Sequence, residues 1–332
     1  MTPTLLLVAA AADPTHLRAP LELGTDHFVS AESCRDCHPG QVADWDGSRH
    51  RAAWSNDLFR QGYIDETKPF CVYCHAPTTR QSAEVLANTA WYRSRNPRSG
   101  LAPGSVTLQP EPHAAEGITC AVCHVRGDQI LATTDSGMHD VRRTPELAES
   151  RFCADCHEFP MPQWTNGVLT LTEVPMQSTF TEWQQSGVTE TCQDCHMPNG
   201  RHTFRGVYDL DWLRSSVVVE QTDAALKIRS EGVGHHFPSG DLFRHLTVEA
   251  WTAGEWVVLH TIGRKFEVHW EDGAVHKRLV GDTSLRPGVP ITVDLPGDVA
   301  WRVRYHYGSS HDEARVRVPL EQLVVVVASS KD

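Results

Sequence analysis

The sequence predicts a multidomain chain: a mostly α and irregular first part whose core is filled by bound groups, then an all-β, immunoglobulin-like sandwich. Three observations carry this expectation. All ten cysteines fall in five Cys-x-x-Cys-His pentapeptides between Cys34 and His196. Few long helical periods accompany them. From Ser216 onward apolar residues alternate with polar ones, the two-residue period of strands with one wet face.

The pentapeptides come first. They pair Cys34 with Cys37 before His38, Cys71 with Cys74 before His75, and Cys120 with Cys123 before His124. The last two pair Cys153 with Cys156 before His157 and Cys192 with Cys195 before His196. Two thiols at this spacing could clamp zinc, pair as a disulfide or carry haem. A zinc module needs no histidine beside its second cysteine, and a disulfide framework has no reason to keep every pair at one spacing. Cys-x-x-Cys-His is the attachment signature of c-type haem. On a helical turn, residues three apart share a face, so both thiols reach one porphyrin edge as thioethers. The histidine that follows offers a neutral nitrogen to the iron as proximal ligand. Five covalently bound haem c groups are expected. Their first cysteines lie 37, 49, 33 and 39 residues apart, too irregular for a repeat array.

Composition narrows the partners. The net charge of -12, before haem propionates are added, argues against nucleic acid and for redox partner proteins with a positively charged docking face. No run of about 20 apolar residues is present to span a bilayer. Residues 1–12 combine an apolar stretch with alanines but lack a basic first region, and read as a signal-peptide remnant. Haem c is attached outside the cytoplasm in bacteria, so a periplasmic or extracellular protein is expected.

The chain divides into an N-terminal segment at 13–29, a pentahaem domain at 30–213 and a β-sandwich at 214–329. In the haem part Thr144 is placed to cap a helix that begins at Pro145. In the β part, strands are expected at 216–220, 225–229, 245–251, 256–260, 266–270, 291–295, 301–307 and 322–328. A further alternation sets Val316 and Val318 against Arg315 and Arg317. Turns such as Glu271-Asp-Gly273, Arg286-Pro-Gly288 and Pro296-Gly-Asp298 separate them. Seven or more short strands in this length favour a sandwich.

With the motifs placed, the haem part resembles the multihaem cytochromes c that include hydroxylamine oxidoreductase and its tetrahaem electron acceptor. The words that carry the resemblance are CRDCHPGQVADWDGSRH from Cys34, CVYCHAP, EGITCAVCH, FCADCH, TEWQQSGVTETCQDCHMP and HTFRGVYDLDWL. In the β part they are GVGHHFPSGDLFRHLTV and GDTSLRPG. The haem motifs are specific for the cofactor and the surrounding words for the family. None is specific for a reaction.

The resemblance implies the second axial ligands. His50 matches a family position that serves as distal ligand to a haem bound later in the chain. His113 matches the histidine ahead of the Gly-Ile-Thr-Cys word, and His139 and His202 stand where the family supplies ligands. His235 matches the first histidine of the Gly-His-x-Phe-Pro word. His27, His16, Met138, Met161 and Met176 are reserve candidates, while His245, His260, His269, His276, His306 and His311 read as surface or core histidines of the β part. The haem of Cys71 to His75 is where a vacant iron would be sought. No Cys-x-x-Cys-Lys attachment is present, which sets the chain apart from pentahaem nitrite reductases, and the sequence offers no counterpart of the tyrosine that crosslinks the active haem in hydroxylamine oxidation.

Three functions are compatible with these residues. An electron carrier with mainly bis-histidine, low-potential haems is the first, since five haems in so short a segment must crowd within reach of one another. An enzyme is the second, reducing or oxidising a small nitrogen or sulfur compound at one five-coordinate haem. The third is a filament subunit that self-assembles through a Val-rich edge at Leu323–Val327. The sequence favours the carrier over an enzyme and assigns no catalytic residue.

Overall fold

The computed structural model describes residues 20–24, 30–96, 99–102, 106–135, 137–165, 168–271, 274–309 and 323–330. The 1–12 stretch, His16, His27, His311 and the alternation at 315–318 lie outside them.

Each haem motif sits on a short helix: Glu32–Arg35 at the first, then Pro69–His75, Cys120–His124, Arg151–His157 and Cys192–His196. Four of the five end on the motif histidine because the next residue leaves the helical region. Ala76 has φ -146°, Val125 φ -129° and Glu158 φ -144°. Starts are equally local. Pro69 supplies a preset φ at the first turn of its helix, and Thr191 and Asp194 form a capping box ahead of Cys192. Between motifs, Asn56 caps Asp57–Glu66 and Thr78 caps Thr79–Ala87. Thr144 does accept from the Glu146 N–H, but the turn it opens at Pro145–Ala148 is 3-10 rather than α.

The first half is less irregular than expected. Val125–Arg126, Gln129–Ala132 and Val141–Arg143 form a three-stranded sheet, and Glu158–Thr165 pairs antiparallel with Val168–Ser178. Prolines 160, 162 and 175 argue against strands here. A two-stranded ribbon tolerates them because both of its strands are edges, and the register shifts beside Pro160 and Pro162.

From Val217 the chain forms two sheets. One is five-stranded, in the order Ala274–Asp282, Glu255–Glu271, His245–Thr252, Trp301–His306, Val324–Ser329. The other runs Ile291–Asp294, Ala225–Ser230, Val217–Gln221. Alternate residues of both, including Leu226, Ile228, Leu246, Val248, Val303 and Tyr305, are buried in one core. Val324–Ser329 is an edge strand in which Val324 and Val327 are buried and Val326 is exposed.

Two strand expectations are corrected. The pieces read at 256–260 and 266–270 are one strand, Glu255–Glu271, which passes through Gly263 at φ +145°. Up to Gly263 it pairs with His245–Thr252, and beyond it with Ala274–Asp282, a strand the sequence reading omitted. The 264–282 hairpin therefore reaches past the sheet onto the first half. Lys277 Nζ meets Glu66 Oε1 at 2.5 Å and Arg264 donates to the Met176 carbonyl at 3.0 Å.

Candidate haem chamber

Side-chain packing in the first half is thin. Its buried apolar clusters are small, one around Trp54, Tyr63, Val85 and Tyr92 and another around Ala31, Val42 and Trp45. In place of a larger core there is one connected cavity of 2490 Å³. This exceeds ordinary ligand pockets of about 300–1,000 Å³ several-fold. All ten motif cysteines and all five motif histidines are on its wall. The Cys34 thiol lies beside that of Cys120, and Cys153 beside Cys192, so the first motif is neighbour to the third and the fourth to the fifth.

The motif histidines are prepared as metal ligands. Nδ1 of His75 hydrogen-bonds the Ala53 carbonyl at 2.8 Å, that of His124 the Leu131 carbonyl at 3.0 Å and that of His196 the Arg205 carbonyl at 2.5 Å. A carbonyl only accepts, so Nδ1 carries a proton in each, which orients Nε2 towards the cavity as the nitrogen that would bind a metal. Burial pushes His75 and His157 down to about 4, which keeps both imidazoles neutral.

Four further histidines face motif histidines. Ring centroids are 5.9 Å apart for His38 and His139, 6.3 Å for His157 and His50, 6.1 Å for His124 and His202, and 6.4 Å for His196 and His235. Two imidazoles sharing one metal through bonds of about 2 Å have centroids roughly 6 Å apart. All four spacings suit an ion between the rings. His50, His139, His202 and His235 also line the cavity. Burial, with His157, His196 and His75 nearby, drives His50 down to about 3. The Nδ1 of His235 bonds the His236 carbonyl at 2.7 Å, leaving its Nε2 unprotonated as well.

Local structure explains why these residues arrive there. After the Pro39–Asp46 helix, the His50 turn is pinned by Trp45 Nε1 donating to the Ile118 carbonyl at 2.6 Å and Ile118 N–H donating to the His50 carbonyl at 2.9 Å. Gly117 makes this approach feasible: at φ +64°, a Cβ there would lie 2.4 Å from the His50 oxygen. The His202 backbone N–H donates to Asp44 at 3.1 Å, and Arg201 pairs with the same carboxylate. His235 comes from the loop between Ala225–Ser230 and His245–Thr252.

His113 is placed otherwise. Its Nδ1 is 2.5 Å from Glu84 Oε1, its N–H donates to Glu84 Oε2 at 3.0 Å, and its ring lies outside the cavity lining. His75 faces an aromatic ring instead: Phe59 stacks on it at 3.5 Å with 6° between planes. Sequence reasoning did not foresee Phe59, Asp44 or Gly117 in these roles. The only signals were Asn56 as a helix cap ahead of Phe59 and a glycine before Ile118. The reserve ligands Met161 and Met176 line the cavity, and Met138 is 80% exposed.

Thiol pairs each followed by a histidine, grouped around one large chamber, define a multihaem c-type cytochrome, and the five motifs bind five haem c groups covalently. The comparisons with known proteins agree. Residues 26–208 match the model of the outer membrane cytochrome MtrC/MtrF-like family, domains II/IV, and the chain belongs to that family. Its fold is similar to the crystal structure of a penta-heme cytochrome c552 from Thermochromatium tepidum, with TM-score 0.65 and 20% identity over 91% of this chain and 98% of that one. Among curated proteins nothing matches. The kinship with hydroxylamine oxidoreductase stays a resemblance of sequence words. No described helix is long and apolar enough to cross a membrane.

Proposed function

We propose that this chain is an exported electron-transfer cytochrome in which His139, His202, His50 and His235 complete the haems of His38, His124, His157 and His196. The observation that carries the reading is the set of four imidazole pairs at 5.9–6.4 Å. Bound haem supplies one-electron iron chemistry; the protein fixes two neutral nitrogens per iron, which holds potentials low. The two halves read as two domains, a haem domain and an immunoglobulin-like sandwich that shields it and contributes His235.

The first motif is the port of exchange. Cys37, His38 and His139 are exposed, and so are the neighbouring acids Asp36 and Asp140. This setting suits a positively charged redox partner outside the cytoplasm. The test is a potentiometric titration with spin-state measurement on the mature protein. Four low-spin haems titrating at low potential support the reading, and two or more high-spin haems contradict it.

One observation favours a second reading. His75 stacks on Phe59 and, among the described residues, is the motif histidine not paired with another imidazole. That haem is then five-coordinate and open to a small ligand, as an oxidoreductase would require. Carbon monoxide binding at one equivalent per chain supports it, and no binding removes it.

A further inference from the structure

The β half brings a part-buried cation to the chamber that neither reading above uses. Arg244 closes the loop before His245–Thr252 and lines the cavity. A guanidinium does not shed its charge, so its burial is costly unless it is paired. Its Nε is buried with no hydrogen-bond partner, and among the described residues it forms no ion pair. Asp241 is the carboxylate in its surroundings, together with Tyr208, Tyr305 and Tyr307. Asp241 instead accepts the Phe243 N–H at 3.0 Å. The Tyr305 hydroxyl is buried and unpartnered too.

The position is built, not incidental. Gly240, at φ +81°, leaves room for the guanidinium, since a Cβ there would lie 3.2 Å from Nη1 of Arg244. Arg264 reaches the same turn, donating to the Gly240 carbonyl at 2.6 Å and to the Met176 carbonyl at 3.0 Å. Its charge is thereby spent on carbonyls while that of Arg244 is kept available.

We propose that Arg244 is the seat of a carboxylate or small oxyanion on the chamber wall, with Gly240 and Arg264 shaping the turn it occupies. A guanidinium fork matches such oxygen pairs. Two sources share this chemistry: a propionate of a haem held in the chamber, or a diffusible oxyanion. The inference rests on the reading of the chamber as a haem site.

The experiment compares the wild-type holoprotein with Arg244→Gln and Arg244→Lys. Mass spectrometry first counts haems; fewer than five on the wild type counts against the cytochrome reading and is a separate failure. Spectroelectrochemical titration follows at one ionic strength, in chloride and with sulfate. A positive charge disfavours the oxidised iron, so a resident carboxylate predicts that R244Q shifts one transition downward in chloride. The expected size is about tenfold in the reduction equilibrium, or about 59 mV for one electron, with R244K restoring it. A diffusible oxyanion predicts instead that sulfate moves one transition of the wild type and none of R244Q. Superimposable titrations of wild type and R244Q in both media overturn the proposal. If R244Q fails to retain five haems, an experimental map of the wild-type holoprotein decides. Carboxylate or sulfate oxygen within hydrogen-bond reach of Arg244 upholds the proposal, and a guanidinium without such a neighbour overturns it.

Discussion

The imidazole of His235 lies nearly parallel to that of His196, with 8° between planes and 6.4 Å between centroids, although one comes from the β half and the other from a haem motif. Replacing His235 with Ala is expected to turn one haem in five from low to high spin in the oxidised protein. Electron paramagnetic resonance reads this directly. The same substitution at His113 is expected to leave the spin count unchanged, because its ring is held by Glu84. It should cost about 1 kcal/mol of stability, because the half-buried Glu84 carboxylate loses its ring partner but keeps the backbone N–H groups of His113 and Ala114.

The Glu66 cluster makes the contact between hairpin and haem half sensitive to acid. Burial raises the Glu66 carboxyl, but Lys277 and Lys68 outweigh it and hold the group at about 2. A carboxyl depressed in the folded state stabilises above its unfolded value, near 4.5, and that contribution fades as pH falls towards 2. Its size is up to about 3 kcal/mol. Denaturation of wild type and Glu66→Gln across this window should converge at its acid end, with the variant showing the flatter profile.

Gly117→Ala tests how the His50 turn is set. The new methyl would meet the His50 and Arg51 carbonyl oxygens at 2.4 and 2.8 Å, on a backbone at φ +64°. A loss of roughly 1–3 kcal/mol is expected, together with a changed low-spin signal from one haem. An unchanged spectrum would separate Gly117 from the placement of His50.

Within the five-stranded sheet, Glu249 is 1% exposed and paired with Arg302 at 2.7 Å and with Arg304. Replacing both arginines with Met leaves that carboxylate uncompensated. Chemical denaturation should show a loss of about 3–5 kcal/mol, with the haem spectra unchanged.

Much of this was legible in the chain because the chemistry is local. A haem motif is five consecutive residues, and period-two strands such as Trp301–His306 declare themselves without a partner. What escaped depends on distant segments. The spacing of His113 from Cys120 gives no sign that Glu84, 29 residues upstream, holds its ring. The Glu158–Thr165 ribbon was hidden by prolines that only an edge permits. The gap read between 260 and 266 holds Gly263, and there one continuous strand exchanges one partner for another.

The paired imidazoles carry a consequence for biogenesis. Partners are separated by 101 residues for His38 and His139, 107 for His50 and His157, 78 for His124 and His202, and 39 for His196 and His235. The first two intervals overlap, so a nascent polypeptide emerging from its amino end exposes the first attachment site long before its counterpart exists. On the proposed pairing, axial ligation of the first haem is complete only after His139 has been made, so the finished state of the first-made site depends on later-made chain.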